Sequence, residues 1–250
     1  MRIIYGKNPV LEALKKLEAS EFECILTADK ASARIVEQAA RAKGIEIMSV
    51  SGPELKRIAG TDKHQGIAAR LRASFRYAAI DDVIGIWKKA EGPALILILD
   101  SIEDPHNLGS LVRAASAAGA HGVVIPADRA AQVTPLVAKA SAGATEHVAI
   151  ARETNLVRAI AMLKEEGVWV AGLEAGSGGD VYGADLKCDL AIVVGGEGKG
   201  VRRLVKESCD FLVSIPMAHG AGGVNSLNAA QAGAIALFEA RRQRDFCKKH

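Results

Sequence analysis

Residues 95–120 read LILILDSIEDPHNLGSLVRAASAAGA, and this stretch organises the chain. Leu95 to Leu99 alternate Leu and Ile and stop at Asp100, the pattern of a strand buried on both faces. An acidic turn with Pro105, Asn107 and Gly109 follows, and a helix starting near Asn107 or Leu108 runs towards Gly119. Such a start places Asn107 and Arg113 close to one helix end. Taken singly, Asn107 reads as a helix N-cap and Arg113 as a solvated helix charge. Two later stretches shift that weighting: VVGGEGKGV at 193–201 and IPMAHGAGGVNSLNAA at 215–230. Each places Gly, Glu, Ser or Asn just past an expected strand. Three polar turns at the strand ends of one sheet point to a single site, because open α/β sheets bind ligands beyond their strand ends.

Strands are expected at 122–126, 147–150, 168–173, 190–194 and 211–215, with helices at 135–142, 156–166, 201–209 and 227–244 between and after them. This alternation, with strands too apolar to face water, predicts a largely parallel sheet covered on both faces. Before residue 76 the pattern predicts a separate small α/β module. Its helix opens at Gly6-Lys7-Asn8-Pro9, strands cover 22–27, 45–50 and 66–71, and helices cover 32–43 and 52–59. Residues 76–93 read as a partly packed linker, with Ile80, Val83, Ile84 and Trp87 on one helical face. The domain division is therefore 1–75, then a linker at 76–93, then 94–250.

Composition narrows the class. Hydrophobic residues make up 49% but aromatic residues only 4%, so the core is built of Ala, Val, Ile and Leu. No apolar run reaches the roughly 18 residues that span a bilayer, and no signal segment opens the chain. Cys24, Cys188, Cys209 and Cys247 lack metal or disulfide spacing and read as reduced thiols of a soluble, cytoplasmic protein. No metal site and no membrane partner are expected. Residues 1–76 carry 14 basic and 9 acidic side chains, whereas 77–250 carry 18 and 20, within a net charge of +3. A basic front half beside a near-neutral second half suggests a polyanion contacted mainly through the front.

Familiar nucleotide motifs are excluded. Around Gly198-Lys199 the first glycine of a P-loop is replaced by Val193 and its hydroxyl residue by Gly200. Ser101 to Asn107 lacks the glycines of a dinucleotide turn. Gly195, Gly196, Gly198 and Gly200 instead allow a tight turn or close backbone approach to a ligand. A flat ring could lie between that turn and Ile215-Pro216-Met217, although Met217 also reads as core filler.

The chain resembles the SpoU-type ribose 2′-O-methyltransferases of the SPOUT superfamily. The likeness rests on Asn107, Gly109 and Arg113, on Gly195, Glu197, Gly198 and Gly200, and on Ile215-Pro216-Met217 with Ser226-Leu227-Asn228. It covers about the last 155 residues closely. It implies S-adenosylmethionine as cofactor, with Gly195, Gly196, Gly198, Ile215, Met217 and Leu227 around it. It also implies Asn107, Arg113, Glu197, Ser226 and Asn228 as catalytic polar groups, a C-terminal trefoil knot, and a homodimer. In the family Arg113 would act as proton acceptor or activator; a guanidinium that stays protonated serves equally well as a phosphate clamp. Segment 218–225 is longer and richer in glycine than the family's usual connection.

Several family members carry a front domain similar to small ribosomal RNA-binding proteins. Tyr5-Gly6-Lys7-Asn8-Pro9-Val10 and His64-Gln65-Gly66 match its recurrent positions, with His64 either a turn residue or an RNA contact. With the chain length, this favours a guanosine ribose in 23S ribosomal RNA as the target, and no DNA. A transfer-RNA guanosine is the alternative enzyme reading, and a non-catalytic RNA-binding protein is the alternative class.

Overall fold

The structure, a computed structural model, describes residues 1–198, 200–218 and 226–247, with the side chains of 30–32 and 246–247 excepted. The chain divides into two compact units, 1–76 with 133–147, and 77–132 with 148–250.

The first unit is built on a four-stranded sheet. Its elements in chain order are β1 (Arg2–Tyr5), α1 (Lys7–Lys16), β2 (Phe22–Thr27), α2 (Lys30–Ala42), β3 (Ile47–Ser49), α3 (Gly52–Ala59) and β4 (Ile67–Leu71). The sheet order is β1-β4-β2-β3, antiparallel except between β2 and β3. Strand β1, which its four residues leave without a readable alternation, pairs along its length with β4. Ile4, Val10, Leu14, Phe22, Ile25, Val36 and Ile67 form the core. Residues 133–147 also belong here, although their sequence position suggests the other domain. Ala138, on α6 (Pro135–Ala140), is buried in the same core, and Glu146 pairs with Arg2 at 2.8 Å.

The second unit carries α4 (Ile80–Lys89), β5 (Leu95–Asp100), α5 (Pro105–Ala118), β6 (Gly122–Pro126), β7 (Ala149–Glu153), α7 (Leu156–Glu165), β8 (Trp169–Leu173), β9 (Leu190–Gly195), α8 (Arg203–Glu207), β10 (Phe211–Val213) and α9 (Ala229–Cys247). All its strands are parallel, in the order β10-β8-β9-β5-β6-β7. All six residues of β5 are buried, as the unbroken apolar run requires. Ile96 and Ile98 point into a core shared with α4, α7 and Val205 of α8. By strand alternation Leu95, Leu97 and Leu99 face the opposite side. Residues 80–89 are thus an integral helix of this unit: Ile80, Val83 and Ile84 are buried in that core.

Helices α5 and α9 meet closely. A Cβ on Gly233 would lie 2.4 Å from Leu111 Cδ2, so the missing side chain is what lets α9 settle against α5. This contact brings the N-terminus of α9 beside that of α5. Leu237 is fully buried, whereas Phe238 remains about half exposed. The expected knot and most of the Gly-rich 218–225 connection involve residues 219–225, which lie outside the described residues.

Candidate active site

Between β5 and β9 the strand order reverses direction. The chain proceeds from β5 to β6 and β7 on one side, while β8, β9 and β10 occupy the other. The crevice beyond the C-terminal ends of such a pair is where parallel sheets place ligands. Asp100 and Gly195 are register partners at that end.

Asp100 is the post on which the site stands, and the sequence reading took it only as the end of a strand. It is fully buried. Its carboxylate accepts from the Arg202 backbone N–H at 2.7 Å and from Arg202 Nε at 2.6 Å. Ser101 Oγ donates to it at 3.2 Å, and its backbone carbonyl accepts from Gly196 N–H at 2.8 Å. The turn from 196 to 202 is therefore tied at both ends to one residue. Arg202 is 52% exposed, so the pair acts chiefly as a geometric pin, not as a large source of stability. Ser101 follows with φ 62, a left-handed conformation uncommon outside glycine, and such strain concentrates at functional sites.

The turn closes on itself. A Cβ on Gly195 would fall 2.1 Å from the Gly200 carbonyl carbon, and one on Gly196 would fall 2.1 Å from the Ser101 carbonyl oxygen. At both positions the close approach of the backbone requires glycine. The turn borders a cavity of about 550 Å³ lined also by β8, β10 and the start of α9. Gly195, Gly196, Gly198, Ile215, Met217 and Leu227 all line it, as do Glu197, Ser226 and Asn228. Met217 is 37% exposed and is not core filler. Glu174, at the end of β8, adds a second carboxylate, held at 2.7 Å by Lys206 of α8.

Three expected residues meet in one cluster, two of them on a single oxygen of the third. Asn107 Nδ2 donates to Glu197 Oε1 at 2.8 Å, and Asn228 Nδ2 donates to the same oxygen at 2.6 Å and to Asn107 Oδ1 at 3.1 Å. Among the described residues no donor reaches Glu197 Oε2. Asn228 has a second task. Its Oδ1 accepts from Ala230 N–H at 2.8 Å and so caps α9, leaving its amide free to turn towards α5. Ser226 lines the cavity and makes no capping bond among the described residues.

Asn107 is not an N-cap. Helix α5 starts at Pro105, capped by Asp104, whose Oδ1 accepts from His106 N–H at 2.9 Å. That puts Asn107 at the third helical position and Arg113 at the ninth. Six residues correspond to about 9 Å along the axis and about 240° of rotation, so the two side chains leave the helix in different directions. Asn107 is buried and Arg113 exposed. Neither Arg113 nor Asn107 is among the cavity-lining residues, and Asn107 is joined to the cavity wall through its hydrogen bonds with Glu197 and Asn228. His64, in the first unit, is a half-buried turn residue whose Nδ1 accepts from Gly66 N–H at 3.0 Å.

Residues 94–238 match the SpoU rRNA Methylase family, and residues 3–77 match the RNA 2′-O ribose methyltransferase substrate-binding family. The chain belongs to the SpoU rRNA methylase family. A Bacillus subtilis (strain 168) protein assigned to the TrmH family of tRNA/rRNA methyltransferases, YacO, is 43% identical to this SpoU chain over 97% of its length and 96% of the relative. The 23S rRNA (guanosine-2′-O-)-methyltransferase RlmB of Xanthomonas campestris pv. campestris is 41% identical over 96% of both chains. Among solved structures, an AdoMet-bound rRNA methyltransferase from Sinorhizobium meliloti superposes with a TM-score of 0.77 at 25% identity, over 96% of this chain and 87% of that one. The SpoU family model spans β5 to most of α9, and so contains every residue of the site.

Proposed function

We propose that this SpoU-family chain transfers a methyl group from S-adenosylmethionine to the ribose 2′-hydroxyl of a guanosine in 23S ribosomal RNA. The chief support is the end-to-end relation to the RlmB methyltransferase, which extends through both units. The cavity fits the cofactor. Its volume is within the range of small-molecule sites, and Leu173, Val194, Ile215 and Leu227 offer apolar walls for a flat purine. The glycine turn offers main-chain groups, and Glu174 and Glu197 offer negative charge towards a cationic donor. When bound, S-adenosylmethionine supplies an electrophilic methyl group on sulfur.

The protein's part is positioning, which can supply a large share of the rate. Asn107 and Asn228 hold Glu197 Oε1, and among the described residues its second oxygen has no protein donor. Ser226 and Asn228 place polar groups on the cavity wall contributed by the last segment. Arg113, exposed on α5, binds an RNA phosphate through its planar fork and stabilises charge that develops on the attacking oxygen. The reading includes a homodimer and a cytoplasmic location, where ribosomal RNA is handled. The half-exposed Phe238 on α9 is apolar surface available to a second copy, and sedimentation at working concentration reads that assembly.

The decisive experiment maps ribose methylation in RNA from cells with and without the gene, alongside calorimetry of the purified protein with S-adenosylmethionine. Loss of one 23S guanosine methylation, together with cofactor heat, is expected. A transfer-RNA guanosine would move the target to the alternative substrate. Unchanged RNA together with no cofactor heat would make the protein a non-catalytic RNA binder.

A further inference from the structure

In the first unit, the partly buried Lys139 has no counter-charge among the described residues. Lys139 of α6 lies against Gly6, close enough that a Cβ there would sit 2.3 Å from its Nζ. Its ammonium donates to Gln65 Oε1, a neutral oxygen, and among the described residues no carboxylate reaches it. Burial alone pulls its pKa below the ordinary lysine range. Gly6 is also the N-cap of α1, whose first turn contains no acidic residue. A cation at the positive end of a helix is placed against the helix dipole. By contrast, Lys15 and Arg2 in the same unit each have a glutamate, Glu12 and Glu146, at 2.7 and 2.8 Å.

The neighbour that holds Lys139 is itself strained. Gln65 has φ 56, a left-handed conformation that costs a non-glycine residue free energy, and its Oε1 also accepts from Lys7 N–H at 3.2 Å. A strained, neutral residue thus holds a partly desolvated ammonium in place, where a glutamate at the same position would satisfy it better. That arrangement suits a site whose negative charge arrives with a ligand.

We propose that Lys139, held by Gln65, binds one backbone phosphate of the RNA substrate, so that segment 133–147 contributes directly to RNA recognition by the first unit. This rests on the reading of the chain as an RNA methyltransferase, and on the match of residues 3–77 to a substrate-binding family. The phosphate oxygens accept from the ammonium in a charge-assisted hydrogen bond. Contact with a phosphate positions the RNA without reading its sequence.

The test measures RNA affinity across salt concentrations for the full chain and for Lys139→Gln and Gln65→Glu, with melting and S-adenosylmethionine binding recorded for each. Lys139→Gln should weaken RNA binding roughly tenfold and make the slope of log affinity against log salt shallower by about 0.9. Gln65→Glu should weaken RNA binding comparably while leaving melting unchanged or raised, because it supplies the missing counter-charge from within. Cofactor binding should be unaffected in both. Unchanged affinity and salt slope in both variants would overturn the proposal. So would a loss of affinity that tracks a lowered melting midpoint in both, since that assigns Lys139 a structural role. Failure of the unaltered chain to bind or methylate RNA would instead strike the proposed function, and is read separately.

Discussion

The two ends of the six-stranded sheet both carry charged side chains withdrawn from solvent in whole or in part, and they use them in opposite ways. At the N-terminal ends of the strands, Arg244 of α9 is consumed by the protein. Its Nη2 donates to the Ala94 and Cys188 carbonyls at 2.7 Å each, and Nη1 and Nε donate to Pro93 and Leu186 at 3.3 Å. Asp189 accepts from Ala94 N–H at 2.6 Å, and His121 Nδ1 accepts from Leu95 N–H at 3.0 Å. At the C-terminal ends Asp100 is used up in this way. Among the described residues Glu197 keeps one oxygen without a protein donor, and Arg113 is exposed. Charge satisfied by backbone fixes the fold, whereas charge left partly unsatisfied beside a cavity is available to a ligand. The same sheet therefore has a structural end and a chemical end.

Substitutions at the two ends should separate activity from stability. The largest effect is expected at Arg113. Arg113→Ala should lower the single-turnover methylation rate by about a hundred- to a thousandfold, as the loss of a preorganised donor typically does, with no change in melting. Arg113→Lys should lose nearly as much, because an ammonium lacks the planar fork. A steep alkaline recovery confined to the lysine variant would make this residue a base and not a clamp, and would blur the contrast between the ends.

Next in size is Arg244→Met, which leaves four carbonyls at the structural end without this donor. A cost of about 2–3 kcal/mol is expected, seen as a melting midpoint lower by roughly 5–10 °C, with cofactor affinity kept at temperatures where the chain is folded. A cofactor defect without a melting defect would break the division of roles.

The smallest effect concerns His121. Burial lowers its pKa below the ordinary value of 6.5, the largest contribution being desolvation of the charged form. Below about pH 6.5 the unfolded chain then binds a proton that the folded chain does not yet hold. Stability should therefore fall as pH drops from about 6.5 towards the folded pKa, then become independent of this group at lower pH. Melting across that range should show the loss in the parent and a shallower dependence in His121→Asn. Equal slopes would show that the structural end does not keep this histidine neutral.

Much of this arrangement was written in local pattern. The runs at 95–99, 122–126 and 190–194 are strands because apolar segments of that length between turn residues can be buried only as central strands of a covered sheet. The glycine turn after Val194 and the polar segment 226–228 were legible because residue types restricted to strand ends stood there. Even so, the start of α5 was misplaced. Asp104 and Pro105 start the helix two to three residues earlier than the expected Asn107 or Leu108, so Asn107 sits inside the first turn instead of at the cap.

What only the tertiary structure decided are the pairings between distant residues. Asp100 with Arg202, Asn107 with Glu197 and Asn228, and Lys139 with Gln65 are separated by 31 to 121 residues. No local period carries such partners. Periods of 2 and 3.6 report which face of an element is buried, because burial acts on each element separately. Which elements become neighbours depends on strand order, on the reversal between β5 and β9, and on how closely α9 can approach α5 at Gly233. The sequence by itself determined the kind of sheet and the residue types at its functional end; packing selected which of those residues meet around Glu197 and left Arg113 facing outward.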